Sequence, residues 1–213
     1  IMARFYRLVW QTPLHALKLK GRHPLKLAGV PLDPITGDAE IGEALLDGRW
    51  TIGGIAFAAE PGQWPQGPHA AMVEASLHAF DWLRDIALTE RKLAVPLVER
   101  LVHQWLDTHA DKVSEPAWRP DVTARRVMFW AAYAPLLLSS TDLVYRSSVL
   151  NHVARAGRHL ARTADRMPQG AARIISWCGV VAASLLIAGN DAQRLFGEGR
   201  LAKALAVGIT ADG

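Results

Sequence analysis

The residues best placed to do chemistry lie in Trp118-Arg119-Pro120-Asp121-Val122-Thr123-Ala124-Arg125-Arg126 and in Trp130 and Tyr133 just beyond. A helix starting at Pro120 and Asp121 sets Arg126, Trp130 and Tyr133 one turn apart on a single face. Flat indole and phenol rings offer platforms to a sugar ring, and a guanidinium fork matches a carboxylate with two prongs, so this trio suits an anionic glycan unit. The same spacing fits a second arrangement, in which Trp130 and Tyr133 fill a core and Arg126 pairs with an internal acid. A further helical stripe combines His78, Trp82 and Asp85 at i, i+4 and i+7, and again serves either a ligand cleft or a buried core. Finally Arg155, Arg158, Arg162 and Arg166 recur at three and four residues opposite an apolar stripe of Leu150, Val153, Gly157, Leu160 and Ala164. That basic face is either a track for a polyanion or a solvated exterior.

Other chemistries have no foothold. The chain holds no H-E-x-x-H, paired-cysteine motif, phosphate-binding glycine loop, dinucleotide fingerprint or G-x-S-x-G elbow, so neither a cofactor nor a metal is expected. His103 and His109, six apart, point to different helical faces. The excess of 24 Lys and Arg over 20 Asp and Glu gives +4 spread over short stretches, unlike the basic stripe of a nucleic-acid binder. Cys178 stands alone in an apolar run and is read as a small core hydrophobe.

The longest apolar run, 174–188, is interrupted by Ser176, Cys178, Gly179 and Ser184 and falls short of the ~20 residues that span a bilayer, so no membrane partner is expected. The first twenty residues place Arg4, Arg7, His15 and Lys18 between apolar positions and lack the unbroken apolar segment of a secretory signal. Periplasm and cytoplasm both stay open as compartments.

The elements that must carry these residues are mostly helices. After a helical stretch over 5–20 and a Pro-punctuated connector over 21–34, a short helix runs from Asp38 to Leu46. A small hairpin around Gly53-Gly54 covers 49–59, and 60–68 is loop. From His69 the periodicity predicts helices over 69–88, 90–110, 121–139, 142–165, 171–188 and 192–207. Short connectors rich in Pro, Gly, Asn and Ser favour antiparallel neighbours, so the segments pair as helical hairpins in a curved array. The organisation expected is thus residues 1–68, with connector and hairpin, followed by one continuous helical array over 69–213.

Several separated stretches carry a resemblance: Ala44-Leu45-Leu46-Asp47-Gly48-Arg49-Trp50 with Gly53-Gly54, then Gly62-Gln63-Trp64, then Leu77-His78-Ala79-Phe80-Asp81-Trp82-Leu83, then Trp118-Arg119-Pro120 with Arg125-Arg126 and Trp130. In this order the chain resembles the N-terminal region of the heparinase II/III-like polysaccharide lyases, departing from them at Gln63 and Ala79. The resemblance implies an all-α fold in which antiparallel hairpins form part of an incomplete (α/α) toroid with a small β-hairpin near the N-terminus. It also implies β-elimination at a uronic acid, in which a base takes the C5 proton while the carboxylate is neutralised. The groups that perform that step in such enzymes lie beyond the stretch matched here, so no residue of this chain is expected to be catalytic. The partner implied is an acidic polysaccharide, held by His78, Trp82, Trp118, Arg126, Trp130 and Tyr133. A ring cut at this point would expose apolar surface, which makes self-association a further expectation. The alternative function is a non-catalytic helical module that binds a polyanion or a partner protein.

Overall fold

A computed structural model describes residues 28–209. The helical stretch expected over 5–20, and the first half of the connector after it, lie outside the described residues. Among the described residues the protein is mostly helical with one two-stranded antiparallel hairpin, as the sequence predicts.

Helix α1 (Ala39–Leu46) begins at Asp38, whose carboxylate accepts the Glu40 and Ile41 backbone N–H groups at 2.9 and 3.3 Å and so satisfies two donors that the helix itself leaves unpaired. Strands β1 (Arg49–Ile52) and β2 (Ile55–Ala58) pair with Ile52 opposite Ile55. The two-residue turn needs positive φ at both central positions, which Gly53 (57°) and Gly54 (78°) supply. Trp50 on β1 is buried, stacked on Phe57 and edge-on to Trp82, and this ties the hairpin to the helices.

The helix expected over 69–88 is two, α2 (Ala71–Ala79) and α3 (Leu83–Ile86). The break is Phe80, a non-glycine residue at φ 62°. A left-handed residue of this kind costs about 1–3 kcal/mol, which burial of the ring offsets. Phe80 is wholly buried, with ring centroids 5.2 to 5.6 Å from Trp64, Trp82, Trp105 and Trp130. Helix α4 (Arg91–His109) follows. The expected 121–139 helix also divides, into α5 (Pro120–Ala132) and α6 (Ala134–Leu137), because Pro135 has no N–H to continue the ladder. Helix α7 (Leu143–Thr163), capped by Asp142, ends in a 3-10 turn at Ala164–Arg166. Helices α8 (Ala171–Leu186) and α9 (Asp191–Gly208) complete the described chain.

Helix α5 sits at the centre, packed on α2, α7 and α8, while α8 also contacts α7 and α9. One apolar cluster runs from Leu45 to Ala204 and crosses the boundary expected at residue 68. The approach of α8 to α5 depends on Gly179, where a Cβ would lie 2.7 Å from the Cα and Cβ of Ala124. Backbone cannot yield as a flexible side chain does, so Gly179→Ala is expected to cost about 1–3 kcal/mol, read as a lower urea midpoint. Among the described residues no helix is long and apolar enough to cross a membrane.

Candidate functional site

The face expected to hold a sugar acid is turned into the core. Arg126 is completely buried, as are Trp118 and Trp130 within a per cent, and Trp82 is nearly so. Arg126 lies over the Trp105 ring, 4.2 Å from its centroid, and donates from Nη1 to the carbonyl oxygens of His78 (2.9 Å) and Ala117 (2.7 Å). Its Nε donates to His152 Nε2 at 3.3 Å. Among the described residues no carboxylate pairs with it, which also corrects the expected internal acid. Loss of hydration pushes its pKa down to about 9. The four residues therefore present no surface to a ligand. An indole-rich core takes in this guanidinium because two carbonyl oxygens and one imidazole nitrogen accept its protons.

His78 alone of the buried set reaches an opening. It lies at the edge of a groove of about 470 Å3 that includes Trp64, Glu74, Gln104, Asp107 and His109. Gln104 holds the Trp64 loop at both ends of its amide, accepting from Trp64 N and donating to Gly62 O, each at 2.8 Å. His78 Nδ1 accepts the Trp105 indole N–H at 2.9 Å, which leaves Nε2 protonated and directed to Glu74, 3.6 Å away. Burial, then His109 and Arg126, lower His78 to about 3, and burial and Arg126 lower His109 to about 4. Both rings are neutral at physiological pH.

The basic face is partly consumed. Arg155 Nη1 binds Asp111 at 2.6 Å and its guanidinium lies over Trp118, 5.5 Å from the ring centroid. Arg158 is half-buried, and Arg162 and Arg166 are exposed.

Tyr133, expected to stack on a sugar, is partly exposed and is engaged through its hydroxyl. Its hydroxyl donates to Asp33 Oδ2 at 3.0 Å, and Arg84 grips the same carboxylate with Nε and Nη2 at 2.9 and 3.1 Å. Burial alone would raise the Asp33 carboxyl, but these donors and the Ile35 N–H outweigh it and hold it below its usual range. Burial and Asp33 in turn push Tyr133 up to about 12. The clamp fixes residues 31–35 above α5 and α8 and encloses an apolar groove of about 380 Å3, whose walls include Leu32, Ile35, Met128, Phe129, Val181 and Leu185. Leu32 is 90% exposed and Ile35 58%, unusual for aliphatic side chains held in a fixed segment. Cys178, read as a core hydrophobe, lines this groove and is half-buried. The groove residues were missed from sequence; their one signal is Val30-Pro31-Leu32-Asp33-Pro34-Ile35, an apolar alternation inside a Pro-rich connector.

No family model matches the chain, and no solved structure does. It is similar to FtsZ-localized protein C of Caulobacter vibrioides, 28% identical over 148 residues, which covers 68% of this chain and 25% of that protein. The chain thus spans about a quarter of the length of the curated relative it matches. The match corrects the expected description as lyase and heparinase II/III-like: the relative is named for localisation to FtsZ, which points to a different function.

Proposed function

We propose that this chain is a non-catalytic helical module that docks a partner protein in the apolar groove beneath residues 31–35. The observation that carries the reading is the pair Leu32 and Ile35, clamped through Asp33, Arg84 and Tyr133 into a position where their side chains face solvent beside Phe129 and Leu185. A rigid apolar wall accepts an apolar segment with little ordering of its own, which favours binding. The relative's name makes FtsZ the partner to test first, with a short apolar segment of it as the occupant. The finer arrangement of the helices, antiparallel hairpins forming part of an incomplete (α/α) toroid, belongs to the same proposal and is supported by the short connectors between α7, α8 and α9.

Co-sedimentation with FtsZ polymers tests the reading. Each apolar anchor is worth about 1.5–3 kcal/mol of burial, so Ile35→Asp with Leu185→Glu is expected to weaken pelleting at least about tenfold. Arg162→Ala with Arg166→Ala is expected to leave it intact. Pelleting that survives the groove changes, or that falls steeply with salt and is lost with the arginines, sinks the groove and favours a polyanion-type contact on α7.

A further inference from the structure

Glu99 and His103 stand one turn apart on α4, and Asp142, the cap of α7, faces them from a segment far along the chain. One ligand atom from each lies within 4.8 Å of the others, with His103 Nε2 and Asp142 Oδ2 4.0 Å apart. We propose that these three side chains form a binding site for a divalent transition-metal ion of the zinc class, joining α4 to the start of α7.

Three features set this trio apart from a chance meeting of surface charges. Ser140 ties Glu99 to the backbone of Asp142: its hydroxyl donates to Glu99 Oε1 at 2.8 Å and accepts the Asp142 backbone N–H at 3.0 Å. Asp142 spends Oδ1 on the Val144 and Tyr145 N–H groups at 2.8 and 3.1 Å, which fixes the carboxylate and turns Oδ2 toward His103. The Tyr145 ring lies against the His103 ring, centroids 4.8 Å apart, and Tyr145 is wholly buried with a hydroxyl that has no hydrogen-bond partner. A protonated donor beside the ligands is the kind of group that bonds to a metal-bound water or to a ligating carboxylate.

One imidazole and two carboxylates suit zinc and its first-row neighbours, and three protein ligands leave a position for water. Bonds of ~2.0–2.2 Å place ligand atoms about 3.5 Å apart in a tetrahedron, so the trio closes by roughly an ångström. The His103 side chain, 42% exposed, has room to turn toward the fixed Asp142 carboxylate.

Zinc titration of the tag-free protein by calorimetry, together with the visible spectrum of the cobalt-loaded form, tests the site. Saturable one-to-one binding is expected, with the intense cobalt bands of a four- or five-coordinate ion. Glu99→Gln keeps the Ser140 bond and Asp142→Asn keeps the helix cap, so both fold normally and report on metal alone. Each, and His103→Gln, is expected to weaken zinc at least about tenfold. Absence of saturable binding, a six-coordinate aqueous cobalt spectrum, or affinity unchanged in all three variants overturns the site.

Discussion

Arg126→Ala is expected to lower the unfolding free energy by about 3 kcal/mol. For a domain of this size that is roughly 6 to 12 °C in Tm. Two effects oppose each other. Removing the cation relieves the burial that depresses its pKa, which favours the variant. Against this, the carbonyl oxygen of His78 loses its donor inside the core, at about 1–3 kcal/mol, that of Ala117 keeps only the Thr123 hydroxyl at 3.3 Å, and the space beside Trp105, Trp118 and Trp130 is left unfilled. The contact over Trp105 adds about another kcal/mol of loss. The second group is larger, so the protein is destabilised. Arg126→Met separates the effects, because it keeps most of the volume and removes the charge; its loss is expected to be smaller than that of alanine. Urea unfolding of both variants decides it, and an unchanged midpoint for Arg126→Ala would show that the guanidinium holds nothing together.

The spacing placed Arg126 and Trp130 one turn apart on α5, with Tyr133 at its C-cap rather than within it, yet it could not say which way the stripe faces. Indoles and guanidinium groups are at home both in a ligand cleft and in a core that supplies acceptors. What decides is the acceptor set, above all Ala117 O, His78 O and His152 Nε2, with Thr123 Oγ1 at 3.5 Å, and the first three come from separate elements. Helix extents were legible because the 3.6-residue period persists over α4, α7, α8 and α9. The interruptions at Phe80 and Tyr133 were not. The first is a tertiary effect, a ring drawn inward at the expense of its backbone, and the second reflects Pro135, whose consequence local periodicity does not register.

The apolar groove was illegible for a related reason. Its walls come from residues 31–35, α5 and α8, which no window of sequence brings together. The Asp33 clamp joins residues 51 and 100 positions apart, and only that closure turns exposed aliphatic residues into a formed surface. The metal-site residues share this property, since the one-turn pair Glu99 and His103 gains its third partner from beyond Ser140.

Acid is expected to destabilise this protein through its buried histidines. His78, His109 and His152 all sit well below their ordinary pKa of 6.5, with burial the first cause in each. In the unfolded chain each takes up a proton near 6.5, while the folded protein refuses it, so the stability they allow is complete above that pH and is lost as the pH falls toward the folded values. For His78, lowered to about 3, the loss at pH 5 is about 2 kcal/mol. Glu74, 3.6 Å away and partly exposed, does not rescue the protonated ring. Asp81 and Asp85, whose carboxyls burial pushes up, act in the opposite sense and offset part of the loss only at the acid end. Urea unfolding at about pH 7.5 and about pH 5 should therefore differ by more than the His78 contribution alone. His78→Asn places an amide oxygen where Nδ1 accepts the Trp105 indole N–H, so it keeps that bond and removes one titrating ring. Its pH dependence is expected to be shallower than that of the parent by about one proton. Equal stability at the two pH values would mean that these imidazoles are hydrated and charge freely in the folded protein, and with that the close packing of His78 and His152 around Trp105 would fall.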